Sequence, residues 1–331
     1  MSSTDQQPTR TSELSADATC RPTIVCFGDL VTDLVMAIER LPVEAERVQV
    51  IRSVSIEPGG AGNFLITAAR LGAHAVALGT IGEDMYGQAA YDALLAEGVD
   101  LSHVQRGAGS VNVLVLVLVD DAGQHVFLVH EGSGDPLTLD ARMTDLLRSA
   151  DLLFVPGYAL HERRVAAAVL PAARIAAEAG VPVMNDLGPI VAEPSVRPTA
   201  LALVGLSTAS LLTADELRCF AGLDDEAQAA AWMLSLGTQY VVVKRGEAGC
   251  AVYSASGHQA IPGIPVTVRD TTAAGDAFAA GFAVQWLIEQ DVLRAAEFAN
   301  CVGAAKVQKL GSGRQCPTLA EVRAIQQRTG C

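Results

Sequence analysis

Asp270-Thr271-Thr272-Ala273-Ala274-Gly275-Asp276, running on into Ala277-Phe278-Ala279-Ala280-Gly281-Phe282, is the most informative stretch of the chain. Small residues fill a turn, and an Ala-rich helix follows. At the start of such a helix the amides of Ala274, Gly275 and Asp276 have no intrahelical acceptor and are placed to face an anion. A carboxylate at the same spot, Asp276, has the chemistry to take a proton from an attacking hydroxyl. Taken alone, Asp276 is equally a residue that caps the helix or complements its dipole.

Working toward the N-terminus, a second Gly-rich stretch, Pro58-Gly59-Gly60-Ala61-Gly62-Asn63, enters a predicted helix over Phe64–Leu71. Glycines let a backbone approach a ligand closely, and Asn offers donors and an acceptor. No Gly-Lys-Ser/Thr follows and the GxGxxG spacing is absent, so neither a Walker A loop nor a dinucleotide fingerprint is present. A third loop, Gly79-Thr80-Ile81-Gly82-Glu83-Asp84-Met85-Tyr86-Gly87, punctuates the approach to another helix. By itself each of these two is a turn and a helix start.

Around these loops the chain alternates short apolar runs with Ala/Leu-rich stretches. The runs are Thr23–Phe27, Ala75–Leu78, Leu152–Val155, Val181–Met184, Leu211–Leu212 and Tyr240–Val243; between them the pattern predicts helices such as Phe64–Leu71, Gln88–Glu97, Arg163–Ala179 and Glu226–Leu236. Pro171 is expected to kink or split the third of these. Strands separated by helices imply βαβ units and a mostly parallel sheet covered on both faces. Two segments break the rhythm. Arg47–Ile56 mixes apolar and polar residues, and Val111–Val129 reads as a hairpin turning at Asp120-Asp121-Ala122-Gly123. They predict a small sheet projecting from one large domain as a lid, over about 43–58 and 108–131.

Composition bounds the partners. The 331 residues carry a net charge of −14, which excludes the basic footprint that nucleic acid requires. The longest aliphatic run, Val113–Val119, is too short to span a membrane. Residues 1–20 are polar, lack the apolar core of a secretory signal, and read as a disordered tail before a domain over 21–331. The seven cysteines form no CxxC pair or zinc spacing, which points to a reducing cytoplasm.

In their order and separation, the segments Gly59–Gly87 and Asp270–Gly281 resemble the signatures of the ribokinase-like sugar kinases, the PfkB carbohydrate kinase family. The resemblance extends from about Thr23 to Val322. It implies a ribokinase-like three-layer α/β/α domain with a small β-sheet lid, and ATP-dependent phosphorylation of a hydroxyl on a sugar or sugar-like molecule. Asp276 matches the catalytic base. Ala274 and Gly275 match the anion hole, and Ala273 beside them stands where many members have Gly. Asp33, Gly59, Gly60 and Asn63 match the substrate site. Asn185, Lys244, Gly246, Gly249 and Asn300 match positions near ATP. Glu216 matches a residue that organises Mg²⁺ through water, although Thr213 replaces the usual Asn of that motif. Asp270 and Thr272, with backbone carbonyls of Lys306–Gln315, match a monovalent cation site, which in many members would take an ion such as K⁺. The resemblance also implies a homodimer formed through the lid. A nucleoside kinase on the same fold, and a non-catalytic sugar- or nucleotide-binding regulator, stay open as alternatives.

Overall fold

Short runs dominated by Val, Ile and Leu become strands that are buried on both faces. The structure is a computed structural model that describes residues 21–122 and 124–329. The tail expected over 1–20, Cys20, Gly123 of the expected turn and Cys331 lie outside the described residues. Within them the strands are β1 (Thr23–Phe27), β2 (Thr32–Ala37), β3 (Ser53–Pro58), β4 (His74–Ile81), β5 (Asp100–Arg106), β6 (Leu114–Val119), β7 (His125–His130), β8 (Leu152–Pro156), β9 (Val183–Asp186), β10 (Ala209–Thr213), β11 (Tyr240–Lys244), β12 (Cys250–Ser254) and β13 (Gly257–Ile261). The helices are α1 (Ala61–Arg70), α2 (Met85–Ala96), α3 (Ala141–Ser149), α4 (Ala166–Glu178), α5 (Arg197–Leu206), α6 (Ala214–Ala221), α7 (Glu226–Ser235), α8 (Ala274–Glu289), α9 (Val292–Lys306) and α10 (Leu319–Thr329).

Nine strands form the central sheet, in the order β13-β12-β11-β10-β9-β8-β1-β4-β5. Pairing is parallel from β5 across to β11, and the hairpin β12–β13 closes the far edge antiparallel. Alternate residues of β1 serve opposite cores. Ile24 and Cys26 pack with α1, α8 and α9, whereas Val25 and Phe27 pack with α3 to α7. Phe64 of α1 stacks flat on Phe154 of β8 with ring centroids 3.8 Å apart, fixing α1 against the sheet. These are the three layers expected from the sequence. After β1 the chain builds outward through β4 and β5, then returns to β8 on the other side of β1. The order therefore reverses between β1 and β8, and the carboxyl ends there open the crevice where open α/β sheets bind ligands.

A second sheet, β3-β2-β6-β7, is the lid. The expected hairpin is present, with β6 and β7 antiparallel in register from Leu114↔His130 to Val119↔His125. Asp120 organises its turn, accepting the amides of Ala122 and Gln124 on Oδ1. The first lid segment differs from expectation. Its strand begins only at Ser53, and Val48 and Val50 are 97% and 75% exposed, so they have no apolar partner to order them. The lid also takes β2, which pairs parallel with β6 and places Asp33 on a strand. Pro171 sits inside one continuous α4. It and Ala167, whose carbonyl loses its intrahelical donor, are both on the exposed face, where water can replace that donor.

Candidate active site

The turn before α8 ends at Ala273 in the left-handed region (φ 61°), and no side chain caps the helix. An Ala there costs ~1–2 kcal/mol relative to the right-handed form, a cost that Gly avoids. The amide of Ala274 is not free: it donates to the Thr271 carbonyl at 3.1 Å and closes the turn. Of the three amides expected to face an anion, those of Gly275 and Asp276 have no protein acceptor among the described residues. The Lys244 ammonium, at the carboxyl end of β11, lies 3.3 Å from where a Gly275 Cβ would stand. Two open amides and a cation thus converge at the start of α8.

Asp276 is held from α1. Asn63 Nδ2 donates to its Oδ2 at 2.9 Å, and Asn63 Oδ1 accepts the Gly313 amide at 2.7 Å. One residue away, Ser312 Oγ donates to Asp33 Oδ2 at 2.7 Å. Segment 311–313 therefore joins the two carboxylates, Asp276 from α8 and Asp33 from the lid. Gly59 lies directly against Asp33, and a Cβ there would overlap the carboxylate. Gly60 turns the chain with φ 49° into α1. The four residues expected at the substrate site therefore gather beside Asp276.

On the other side of Lys244 lies Asp186, at the carboxyl end of β9. Lys244 Nζ and Asp186 Oδ2 form a 2.5 Å ion pair, while Asp186 Oδ1 is buried without a hydrogen-bond partner. Asn185, expected near ATP, is fully buried, and its Nδ2 donates to the Ser207 and Ser210 hydroxyls at 2.7 and 2.9 Å. Side chains alternate along a strand, so when Asn185 turns into one core its neighbour Asp186 faces α8. Glu216 forms a capping box with Thr213: the Thr213 amide donates to Glu216 Oε2 at 2.7 Å, and Thr213 Oγ1 accepts the Glu216 amide. Thr213 thus caps α6 in place of the usual Asn. Gly246 has φ 58° with open space around it. Gly249 has φ 89° and packs against the Ile261 carbonyl and the 262–263 backbone, where a Cβ would clash. Asn300 Nδ2 reaches the Pro262 carbonyl at 3.3 Å, tying α9 to the end of β13.

Asp270 and Thr272 lie behind the turn. Asp270 Oδ1 accepts the Thr272 amide and hydroxyl at 2.8 and 2.7 Å, and Oδ2 accepts the Gly311 amide at 2.6 Å. This pair locks the turn to segment 306–313.

Burial sets the protonation chemistry. It pushes Asp33 up to about 7, against the Ser312 hydrogen bond and with help from Asp276 and Glu57. It pushes Asp186 up to about 6 despite Lys244. It pushes Glu162, whose carboxylate accepts the Asp29 amide, up to about 8. Asp276 is also raised by burial, opposed by Asn63, Lys244 and Lys306. A carboxyl raised in the folded state binds a proton there that the unfolded chain releases near pH 4. Stability is therefore highest at low pH within this window and is lost as pH rises through about 6 to 8. The ligand-free protein is expected to melt at a higher temperature at pH 6 than at pH 8 by scanning fluorimetry; an unchanged or lower melting temperature at pH 6 would refute these shifts.

Asp186, Lys306 and the 311–313 segment were not singled out by side chain in the sequence. A signal for Asp186 exists in its place one residue after Asn185, but the strand end has to be known to use it.

The pfkB family carbohydrate kinase domain matches residues 21–319. The chain is 33% identical over 306 residues to the ATP-dependent ribose-1-phosphate kinase of Halopiger xanaduensis, covering 91% of this chain and 97% of that one. It is 29% identical over 322 residues to fructokinase-1 of Zea mays, covering 91% and 97%. The ribokinase of Arabidopsis thaliana, solved with ribose and ATP, superposes with a TM-score of 0.79 at 25% identity, covering 92% of this chain and 99% of that one.

Proposed function

The chain belongs to the pfkB family of carbohydrate kinases, and on that premise we propose that this ATP-dependent sugar kinase uses Asp276 as the base for phosphorylating a hydroxyl of a ribose- or fructose-type sugar. The observation that carries the reading is the single cluster in which Asn63 holds Asp276 beside two open amides and Lys244, with Asp33 one hydrogen-bonded segment away. Asp276 takes the hydroxyl proton as the sugar oxygen bonds to the γ-phosphorus and the bond to the departing ADP breaks. The Gly275 and Asp276 amides and Lys244 face the charge on the moving group. Asp33, Asn63 and the Gly59–Gly60 backbone orient the sugar, and the lid sheet excludes water.

The buried, unpartnered Oδ1 of Asp186 and the neighbouring Glu216 are hard oxygen donors that fit Mg²⁺. They would hold it directly or through water, where it neutralises phosphate charge. The Gly246–Gly249 turn and Asn300 would face the nucleotide base. The relatives' names, a ribose-1-phosphate kinase, a fructokinase and a ribokinase, support the substrate class.

A homodimer through the lid belongs to the same proposal. Its support lies on β7, where Val126, Phe127, Leu128 and Val129 are exposed, rather than on Val113–Val119, whose Val113, Val117 and Val119 are buried. Cys26, Cys219, Cys250 and Cys316 form no disulfide, which fits a cytoplasmic setting. Among the described residues no helix is long and apolar enough to cross a membrane.

ADP release with ribose, ribose 1-phosphate, fructose and adenosine tests the substrate class. Turnover with at least one of the sugars is expected; turnover with adenosine alone would replace the sugar by a nucleoside. Gly59→Ala is expected to raise the sugar KM on the order of tenfold or more, because the new Cβ displaces Asp33 from Ser312. An unchanged KM would remove Asp33 from the sugar site.

A further inference from the structure

The turn between β8 and α4 enters the same crevice and carries an aromatic side chain. Pro156 ends β8 in register with Asp186 of β9. Its Cγ lies 3.5 Å from where a Gly28 Cβ would stand, and the Ala61 Cβ lies 3.7 Å from the same point. Gly157 then packs on the Leu187 carbonyl, where a Cβ would overlap it. Next comes Tyr158, whose Cε2 is 4.0 Å from the Cβ position of Gly188, just after Asp186 and Leu187. Tyr158 thus stands between the sugar loop, which enters α1 at Ala61, and the strand end that carries Asp186.

The backbone there is fixed. The Tyr158 carbonyl accepts the amides of His161 and Glu162 at 2.9 and 3.1 Å. Ala159 and Leu160 pack into the core of α3 to α7, on the opposite side of the sheet from α8. Tyr158 itself is 48% exposed, and its hydroxyl has no hydrogen-bond partner among the described residues. Partial burial and the carboxylates of Asp276, Glu216, Asp186 and Asp33 push the phenol above its ordinary range, so it remains a neutral donor. Ionised carboxylates only accept hydrogen bonds, whereas a hydroxyl both donates and accepts. Asp33 and Asp276 can take the protons of sugar hydroxyls, and the oxygen lone pairs then call for a donor. Tyrosine joins such a donor to an apolar ring, which suits the C–H side of a sugar.

We propose that Tyr158 is a further sugar-binding residue: its hydroxyl donates a hydrogen bond to a hydroxyl oxygen of the acceptor sugar, and its ring walls the crevice on the side opposite α8. The inference rests on the Asp276–Asp33 cluster being the sugar site.

The test compares wild type, Tyr158→Phe and Tyr158→Ala as full-length proteins. Calorimetry gives the Kd for ribose, ribose 1-phosphate and fructose with Mg²⁺ and a non-hydrolysable ATP analogue present, and ADP release gives kcat and KM. Because the side chain is half-exposed, both variants should fold and melt close to the wild type. Tyr158→Phe should raise Kd and KM for the sugar about three- to tenfold, and Tyr158→Ala about thirtyfold, with the ATP KM constant within about twofold. For one monodeoxy analogue of that sugar, the loss of affinity on removing the hydroxyl should be about three- to tenfold smaller in Tyr158→Phe than in the wild type. Sugar affinity within about twofold of wild type in Tyr158→Ala, additive losses with every monodeoxy analogue, or an equal rise in the ATP KM would overturn the inference. Sugar binding that weakens in both variants, with no phosphorylated sugar from the wild type, would uphold Tyr158 and reject the proposed reaction. Failure of the wild type to bind any of the three sugars would overturn both.

Discussion

Asp276→Asn is expected to lower kcat by about 10³-fold, within the range for removal of a general base, while sugar and ATP affinities change only a few-fold. The amide keeps the shape of the carboxyl, and its oxygen still accepts the Asn63 donor that Asp276 Oδ2 accepts at 2.9 Å. What it loses is the capacity to take the hydroxyl proton. The same substitution should raise the melting temperature. Burial raises the pKa of Asp276, so the ionised carboxylate is held at a cost that a neutral amide does not carry. Activity down and stability up, together, mark a residue kept for chemistry. A turnover number near the wild-type value would remove Asp276 from its role.

Lys244→Met should also reduce kcat by about 10²- to 10³-fold, because it takes away the side-chain cation beside Gly275 and the open amides. Unlike Asp276→Asn, it should destabilise the fold by ~3–5 kcal/mol, since Asp186 is left buried with neither oxygen paired. The double variant Lys244→Met/Asp186→Leu separates the two effects. Replacing both partners by apolar groups should restore much of the stability and none of the turnover, read by urea unfolding and steady-state kinetics. If turnover returned with stability, the pair would be a structural tie and the phosphoryl site would lie elsewhere.

The layered fold was legible because the strands are apolar on both faces and the helices between them are Ala-rich, so local pattern and tertiary burial agree. The lid was legible only in part. Val111–Val129 carries its own register and turn chemistry. Thr32–Ala37 is shorter and begins beside a carboxylate, and its place in the lid is set by pairing with β6 and β3 from far along the chain. Strand ends decided the nucleotide side. The apolar run Val181–Met184 suggested a strand ending before Asn185, whereas β9 runs from Val183 to Asp186. Extending it by two residues fixes the alternation that buries Asn185 and turns Asp186 toward Lys244. Lys306 was legible as backbone alone. That its side chain is buried depends on segment 306–313 wrapping onto Asp270, Asn63 and Asp33, contacts between residues more than thirty positions apart.

The most direct measurement is ³¹P NMR of wild type and Asp276→Asn, each incubated with ATP, Mg²⁺ and one sugar of the ribose, ribose 1-phosphate and fructose set. The wild type should convert ATP to ADP with an equal amount of a new sugar phosphate signal, and Asp276→Asn should bind the same sugar and show no such signal on that timescale. A sugar phosphate formed by Asp276→Asn at the wild-type rate, or none from the wild type with any of the three, would contradict the account.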